Sequence, residues 1–364
     1  MDMSFDLDKL ILEVFAPQPG EKVLVMTDSP HGEWADSEKW AQRREMAVDW
    51  LAAFHRLRST IGLTVRPLLT YLATGTDNGV LPDDGDMGGE RVRLQEVLAQ
   101  TNIVVAFGEF SPTAPLIDAG ERARALRGAT MPGVTRSMER TALTADYCEV
   151  ARKCQILVAK LDAAVGAKVQ FSTGHRFYFD LRYRKADADD GQAHADREGV
   201  RIINLPSGEA CIAPYEGEKE GQPSRTEGEI PVVYGDEMLF FKVQGNLIVE
   251  VVGEGPRAAY LRDYFAVDQA RRNIAELGLG CNDKAVLSGE VLEDEKVLGL
   301  HWAYGRSEHL GGTVGVDSFS DPSHVVHQDI VYASGGPIEI SSLVLENEDG
   351  SAEQIMRDGR YTVF

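Results

Sequence analysis

The sequence predicts an α/β N-terminal domain built on a parallel sheet, residues 1–150, followed by a strand-rich α+β C-terminal domain, residues 151–364. Three observations carry this. Up to residue 130, short apolar runs alternate with segments of helical period, the pattern of strands with helices packed on their faces. Beyond residue 165 the texture changes to closely spaced strand-like runs broken by turn residues. A chain of 364 residues suits about two domains of roughly 100–200 residues each.

In the first domain, Lys22–Asp28 (KVLVMTD) follows the turn-forming Pro17–Gly20 and reads as a buried strand. Ser37 through Arg58 sets Trp40, Met46, Ala47, Trp50, Leu51 and Phe54 on one broad helical stripe, with Asp36 or Ser37 as its cap. Val65–Leu72 is a second strand and Glu90–Gln100 a second helix. Asn102–Gly108 (NIVVAFG) is a third strand, and Pro115–Ala125 a third helix. Asn78–Gly89 (NGVLPDDGDMGG) reads as a loop. It contains neither phosphate-binding glycine motif, so no nucleotide cofactor is expected. Thr135–Val165, chiefly Asp146–Ala164, reads as a helix joining the domains.

In the second domain, Lys168–Arg184 alternates apolar and polar residues as a strand or hairpin, and the acidic stretch Ala186–Gly199 reads as a solvated loop. Arg201–Asn204, Glu229–Val233, Met238–Val243, Leu247–Val252, Lys296–Tyr304 and Gln328–Ala333 are further strands. Tyr260–Leu277 is the chief helix, and Gly289–Glu295 and Gly335–Pro337 are turns.

Charge and composition exclude several classes. The formal net charge of −21 repels phosphate backbones and anionic membranes, so nucleic acid and membrane are not expected as partners. It favours a cationic substrate, such as the free amine of a peptide. Cys148, Cys154, Cys211 and Cys281 form no CxxC pair and read as thiols of a reducing compartment. The first residues lack the pattern of a secretory signal, and no run of about 20 apolar residues follows, so a cytoplasmic protein is expected.

Groups able to hold a metal gather in four stretches: NLPSGEACIAP with Glu209, AELGLGCN with Glu276, KVLGLHWAYG with His301, and HVVHQDI with His327 and Asp329. Residues two apart on a strand face the same way, so His327 and Asp329 can reach one ion together. Imidazole with carboxylate suits zinc, manganese, cobalt or iron. Three carboxylates carry −3 against +4 for two divalent ions, and a bridging hydroxide would neutralise the cluster. Each residue also has a plain structural reading: Glu209 as a solvated turn acid, Glu276 as the water-facing end of a helix, His301 as a core histidine. His324 and His309 read as surface groups or neighbours of ligands, and His175 as an exposed turn residue.

Taken in order, Pro206–Glu209 (PxGE), Ala275–Asn282 (AELGxGxN), His301–Gly305 (His-x-Ala-x-Gly) and His327–Asp329 (His-x-Asp) resemble the aminopeptidase T family. Met131–Thr135 with Ala145–Tyr147 resembles that family's interdomain region, so the likeness covers most of residues 125–335. It implies a dimeric two-metal aminopeptidase acting on small peptides or amides. Glu209, Glu276, His301, His327 and Asp329 would hold two divalent ions (Zn, Co or Mn), with Glu209 and Glu276 also serving catalysis. A metal-bridging hydroxide would attack the scissile amide and a carboxylate would pass the proton to the leaving amine. One departure bears on the substrate. Peptidases of the family often carry a tyrosine seven positions after the motif histidine, where this chain has Glu308. Three alternatives stay open: a hydrolase of non-peptide amides, a mononuclear Fe(II) ring-cleaving dioxygenase of dihydroxypyridine type using His301, His327 and Asp329, and a non-catalytic binding protein on an inherited fold.

Overall fold

The computed structural model describes residues 5–123, 125–199 and 201–364. It divides into two compact units. The first runs to Ala151 and also takes in Asp189–Gly208 and Asn282–Lys296; the second comprises Arg152–Ala188, Glu209–Cys281 and Val297–Phe364. Two excursions of the C-terminal half thus belong to the first unit.

The first unit is built on an eight-stranded sheet. Its path runs Arg201–Asn204, Arg127–Pro132, Ile103–Gly108, Lys22–Ser29, Leu69–Leu72, Asp84–Met87, Glu90–Arg93, with Thr64–Val65 also pairing to Lys22–Ser29. The strands from Arg201–Asn204 to Leu69–Leu72 are parallel, as their apolar runs predict. Helix Glu38–Ile61 packs on them through Trp50, whose ring meets Phe107 edge-on at 5.7 Å between centroids, and the Ser37 hydroxyl accepts from Trp40 N at 3.1 Å as its cap.

Two readings are corrected here. Asn78–Gly89 is not wholly loop, and helix formation begins only at Leu94, giving the short helix Leu94–Leu98. Asp84–Met87 and Glu90–Arg93 form a hairpin instead, turning on Gly88 and Gly89 at φ 66° and 92°. Two consecutive left-handed residues make the tight turn whose twist matches paired strands, and glycine adopts it without a Cβ penalty. Second, Arg201–Asn204 pairs in parallel with Arg127–Pro132 in this sheet rather than in a sheet of the C-terminal domain.

The second unit contains two largely antiparallel sheets. One has the order Leu247–Val252, Glu237–Gln244, Glu227–Tyr234, Arg176–Asp180, Ala164–Phe171, Ile340–Asn347, Ala352–Arg357, Arg360–Tyr361. The other sets Glu209–Ile212, Ile274–Gly280, Gly299–Gly305 and His327–Ala333 side by side. Rings from the two sheets meet in the core: Phe241 on Trp302 at 5.8 Å between centroids, and Phe171 on Tyr332 at 5.1 Å. The Tyr332 hydroxyl accepts from Trp302 Nε1 at 3.1 Å and donates to the Pro231 carbonyl at 2.9 Å. These buried polar tips are paired, as they must be away from water.

The helix read over Tyr260–Leu277 is shorter, spanning Pro256–Val267. A short 3₁₀ turn, Gln269–Arg272, and then the strand Ile274–Gly280 follow. The Asp268 carboxylate accepts from Ala270 N and Ser320 N, which breaks the helical ladder. The alternation Leu277-Gly278-Leu279-Gly280 has the period of a strand, not a helix. Glu276 therefore lies on a strand. No helix among the described residues is long and apolar enough to cross a membrane.

Candidate metal centre

Strand register puts the five candidate side chains on one face of the smaller sheet. Glu209 pairs with Gly280, Gly278 with His301, Glu276 with Ala303, Ala303 with Asp329, and Gly305 with His327. Residues two apart share a face, so the ligand-type residues are interleaved with Gly278, Gly280, Ala303 and Gly305. The other face carries Leu279, Trp302 and Tyr332 into the core. Glu276 shares this face with Gly278 and Gly280 by regular alternation, and the irregularity at Ile274/Glu276 falls just ahead of it.

The small residues make the room. A Cβ on Gly278 would stand 1.9 Å from His301 Nε2, so only glycine lets that imidazole lie across the neighbouring strand. Gly305 has φ 106°, and a Cβ there would meet the Val326 carbonyl oxygen at 2.1 Å. Ahead of Glu209, Gly208 has φ 131° and packs against Asn282, whose amide donates to the carbonyls of Ser207 at 2.9 Å and Ala142 at 3.1 Å. The PxGE and AELGxGxN stretches therefore brace each other where the chain enters the Glu209 strand and leaves the Glu276 strand.

The structure brings all five residues into two groups of three that share Glu276. In the first, His301 Nε2 stands 3.3 Å from both Glu209 Oε2 and Glu276 Oε1. In the second, His327 Nε2 stands 3.0 Å from Glu276 Oε2 and 3.6 Å from Asp329 Oδ1. Glu209, Glu276 and His301 are buried; His327 and Asp329 are partly exposed. His327 Nδ1 donates to the Arg306 carbonyl at 2.7 Å, which aims Nε2 at the carboxylates.

Burial acts to discharge Glu276, His301 and His327, but the pairing outweighs it. Hydrogen bonds from His301 and His327 hold the Glu276 carboxyl well below its ordinary pKa. Against the same opposition from burial, Glu209 and Glu276 raise His301 well above the usual imidazole value. Asp329 and Glu276 raise His327 likewise. Three carboxylates with two imidazolium groups still leave one negative charge uncompensated. Replacing the two imidazole protons by cations supplies more positive charge through the same nitrogen and oxygen donors. The donor set fits carboxylate–imidazole metal sites.

Other sequence readings find their places around this core. His309 stacks edge-on against His327, with ring centroids 4.8 Å apart. His324 bonds to Asp268 at 3.1 Å and takes no part in either group of three. Glu308 pairs with the Arg306 guanidinium beside the site. Sequence reasoning missed Glu216. Its carboxylate accepts from Ser307 Oγ at 2.5 Å, Thr313 N at 2.5 Å, Thr313 Oγ1 at 2.6 Å and Asn273 Nδ2 at 2.9 Å, and so holds the loop that carries Glu308 and His309. One of three glutamates in the stretch 216–220, it gave no signal of that task.

No protein-family model matches the chain, and no curated protein matches it in sequence. Among solved structures it is similar to the 2,5-dihydroxypyridine dioxygenase of Pseudomonas putida KT2440, with TM-score 0.63 and 18% identity, covering 98% of this chain and 97% of that one. It is also similar to AmpT of Thermus thermophilus, with TM-score 0.59 and 16% identity, covering 98% of this chain and 99% of that one. At these identities the likeness is one of fold, shared along almost the whole chain with an aminopeptidase T and with a dioxygenase.

Proposed function

We propose that this chain is a two-metal hydrolase of amide bonds, and specifically an aminopeptidase that removes N-terminal residues from small peptides. The observation that carries the proposal is the sharing of Glu276. One of its oxygens faces His301 and the other faces His327, so one side chain joins two three-donor groups. Glu209 and His301 complete one position, and His327 and Asp329 the other. Two divalent ions such as Zn, Co or Mn, held there, would supply Lewis acidity for the scissile carbonyl and for water.

The protein's own groups have separable tasks. Glu276 sets the spacing of the two positions. His301 and His327 would hold a metal through neutral nitrogen, and so would have to release their protons to it. Glu209, on the strand paired beside that of Glu276, is our candidate to receive the proton of the attacking water and return it to the leaving amine. The net charge of −21 draws in a substrate that arrives as an ammonium ion. With Glu308 in the tyrosine position, a non-peptide amide is the nearest variant of this reading.

The fold likeness to the dihydroxypyridine dioxygenase supports a second reading, a mononuclear Fe(II) site on His301, His327 and Asp329. Against it, His301 groups with two glutamates, and His327 and Asp329 group with Glu276. Metal-free protein reconstituted with zinc, cobalt, manganese or ferrous ion separates the readings. We expect two bound ions per chain and hydrolysis of aminoacyl amides. One iron per chain with oxygen uptake on dihydroxypyridines would replace the hydrolase reading.

A further inference from the structure

We propose that Cys154 and Cys281 form a reversible dithiol–disulfide pair, a modification site within the second unit. The two residues are 127 positions apart, yet their sulfurs lie 3.2 Å from each other, and both side chains are fully buried. Cys154 comes from helix Tyr147–Ala163, and Cys281 directly follows Gly280 at the end of the Glu276 strand. A disulfide holds its sulfurs at about 2.05 Å, so closure needs an approach of only about 1 Å. The remaining cysteines are built-in controls: Cys148 is exposed, and Cys211 is buried elsewhere on the Glu209 strand.

Access is governed by the segment Arg360–Phe364. The Tyr361 hydroxyl lies 2.8 Å from the Gly280 carbonyl and 2.9 Å from that of Gly299, beside Cys281. The Phe364 ring takes the ammonium group of Lys153, the neighbour of Cys154, at 5.6 Å. This segment therefore crosses the chain next to both thiols, yet its regular structure is the two-residue strand Arg360–Tyr361. So short a pairing opens at lower free energy than the sheet beneath it.

With hydrogen peroxide as oxidant the chemistry balances. One cysteine thiolate attacks a peroxide oxygen, the O–O bond breaks, and the departing oxygen leaves as water once protonated. The sulfenic acid so formed is attacked by the second thiolate. The S–S bond forms, the S–O bond breaks, and the hydroxyl leaves as a second water. Two electrons pass from the sulfurs to the peroxide, and both thiol protons end in water. Exchange with a small thiol reverses the bond. The oxidised form ties the helix covalently to the strand that bears Glu276.

The test treats the full chain with hydrogen peroxide, counts thiols after denaturation, and maps linked peptides by mass spectrometry. We expect two thiols to be lost, a single linked peptide joining Cys154 to Cys281, and full recovery with dithiothreitol. Tyr361→Phe, which removes the latch, should speed the loss several-fold, and Cys154→Ser or Cys281→Ser should abolish the link. Persistence of all four thiols, a link through Cys148 or Cys211, or over-oxidation without a link would overturn the pair. An unchanged rate in Tyr361→Phe would overturn the role of the covering segment. The wild-type peptide map decides the matter even where a serine variant folds poorly.

Discussion

At the scale of single residues, the centre depends on absent side chains as much as on present ones. Gly278 carries no donor, yet a methyl group there would occupy the place of His301 Nε2. Gly278→Ala should therefore displace the imidazole and weaken metal binding by about 10–100-fold, the range seen when groups that orient a ligand are removed. Titration calorimetry on the variant checks this, and unchanged affinity would show that His301 does not ligate from its present position. Glu276 gives a sharper contrast, because it belongs to both groups of three. Glu276→Ala should lose both ions, whereas Asp329→Ala should first lose one. Metal content after dialysis reads the difference, and equal losses from the two variants would contradict a shared carboxylate.

At the scale of elements, the loop beside the site is held by one carboxylate. Glu216 bridges Ser307, Thr313 and Asn273, and Gly312 leaves space that a Cβ would take from Ser307 Oγ at 2.2 Å. Glu216→Ala strands the buried Ser307 hydroxyl and the buried Asn273 amide and should cost about 2–3 kcal/mol of stability. It should also raise amide hydrogen exchange across residues 306–315 while leaving metal stoichiometry intact, since Glu216 belongs to neither candidate group of three. Unaltered exchange would mean the loop is ordered by other contacts. Much of the architecture was legible in the sequence because buried parallel strands such as Ile103–Gly108 are continuous apolar runs. The candidate ligand stretches stand out in the sequence because histidine, glutamate and glycine recur there in short compass, and the structure brings their side chains together. What was not legible depends on pairing partners. Ile274–Gly280 reads as a helix end until its neighbours supply a ladder, and Glu209–Ile212, four residues long, has too short a pattern to declare itself. Glu216 was silent because its donors come from residues 273, 307 and 313, far from it in sequence.

At the scale of the whole molecule, the charge pattern of the centre links stability to pH and to metal. Without metal, the lowered Glu276 carboxyl stabilises the fold above the unfolded carboxyl value, about 4.3, and this contribution is lost as pH falls through the folded value. The raised imidazoles of His301 and His327 have the opposite sign. Their contribution is complete below the unfolded value, about 6.5, and is lost as pH rises through the folded values. The metal-free protein should therefore be most stable between about pH 4.5 and 6.5 and should lose stability toward alkaline pH. Divalent ions compete with the imidazole protons, so they bind more tightly as pH rises and release protons when they bind. The rise in Tm on adding zinc or manganese should consequently be larger at about pH 8.5 than at about pH 6, since ligand stabilisation grows with affinity. Paired thermal melts at the two pH values test this. A greater rise at the lower pH would show that His301 and His327 hold no protons for a metal to displace.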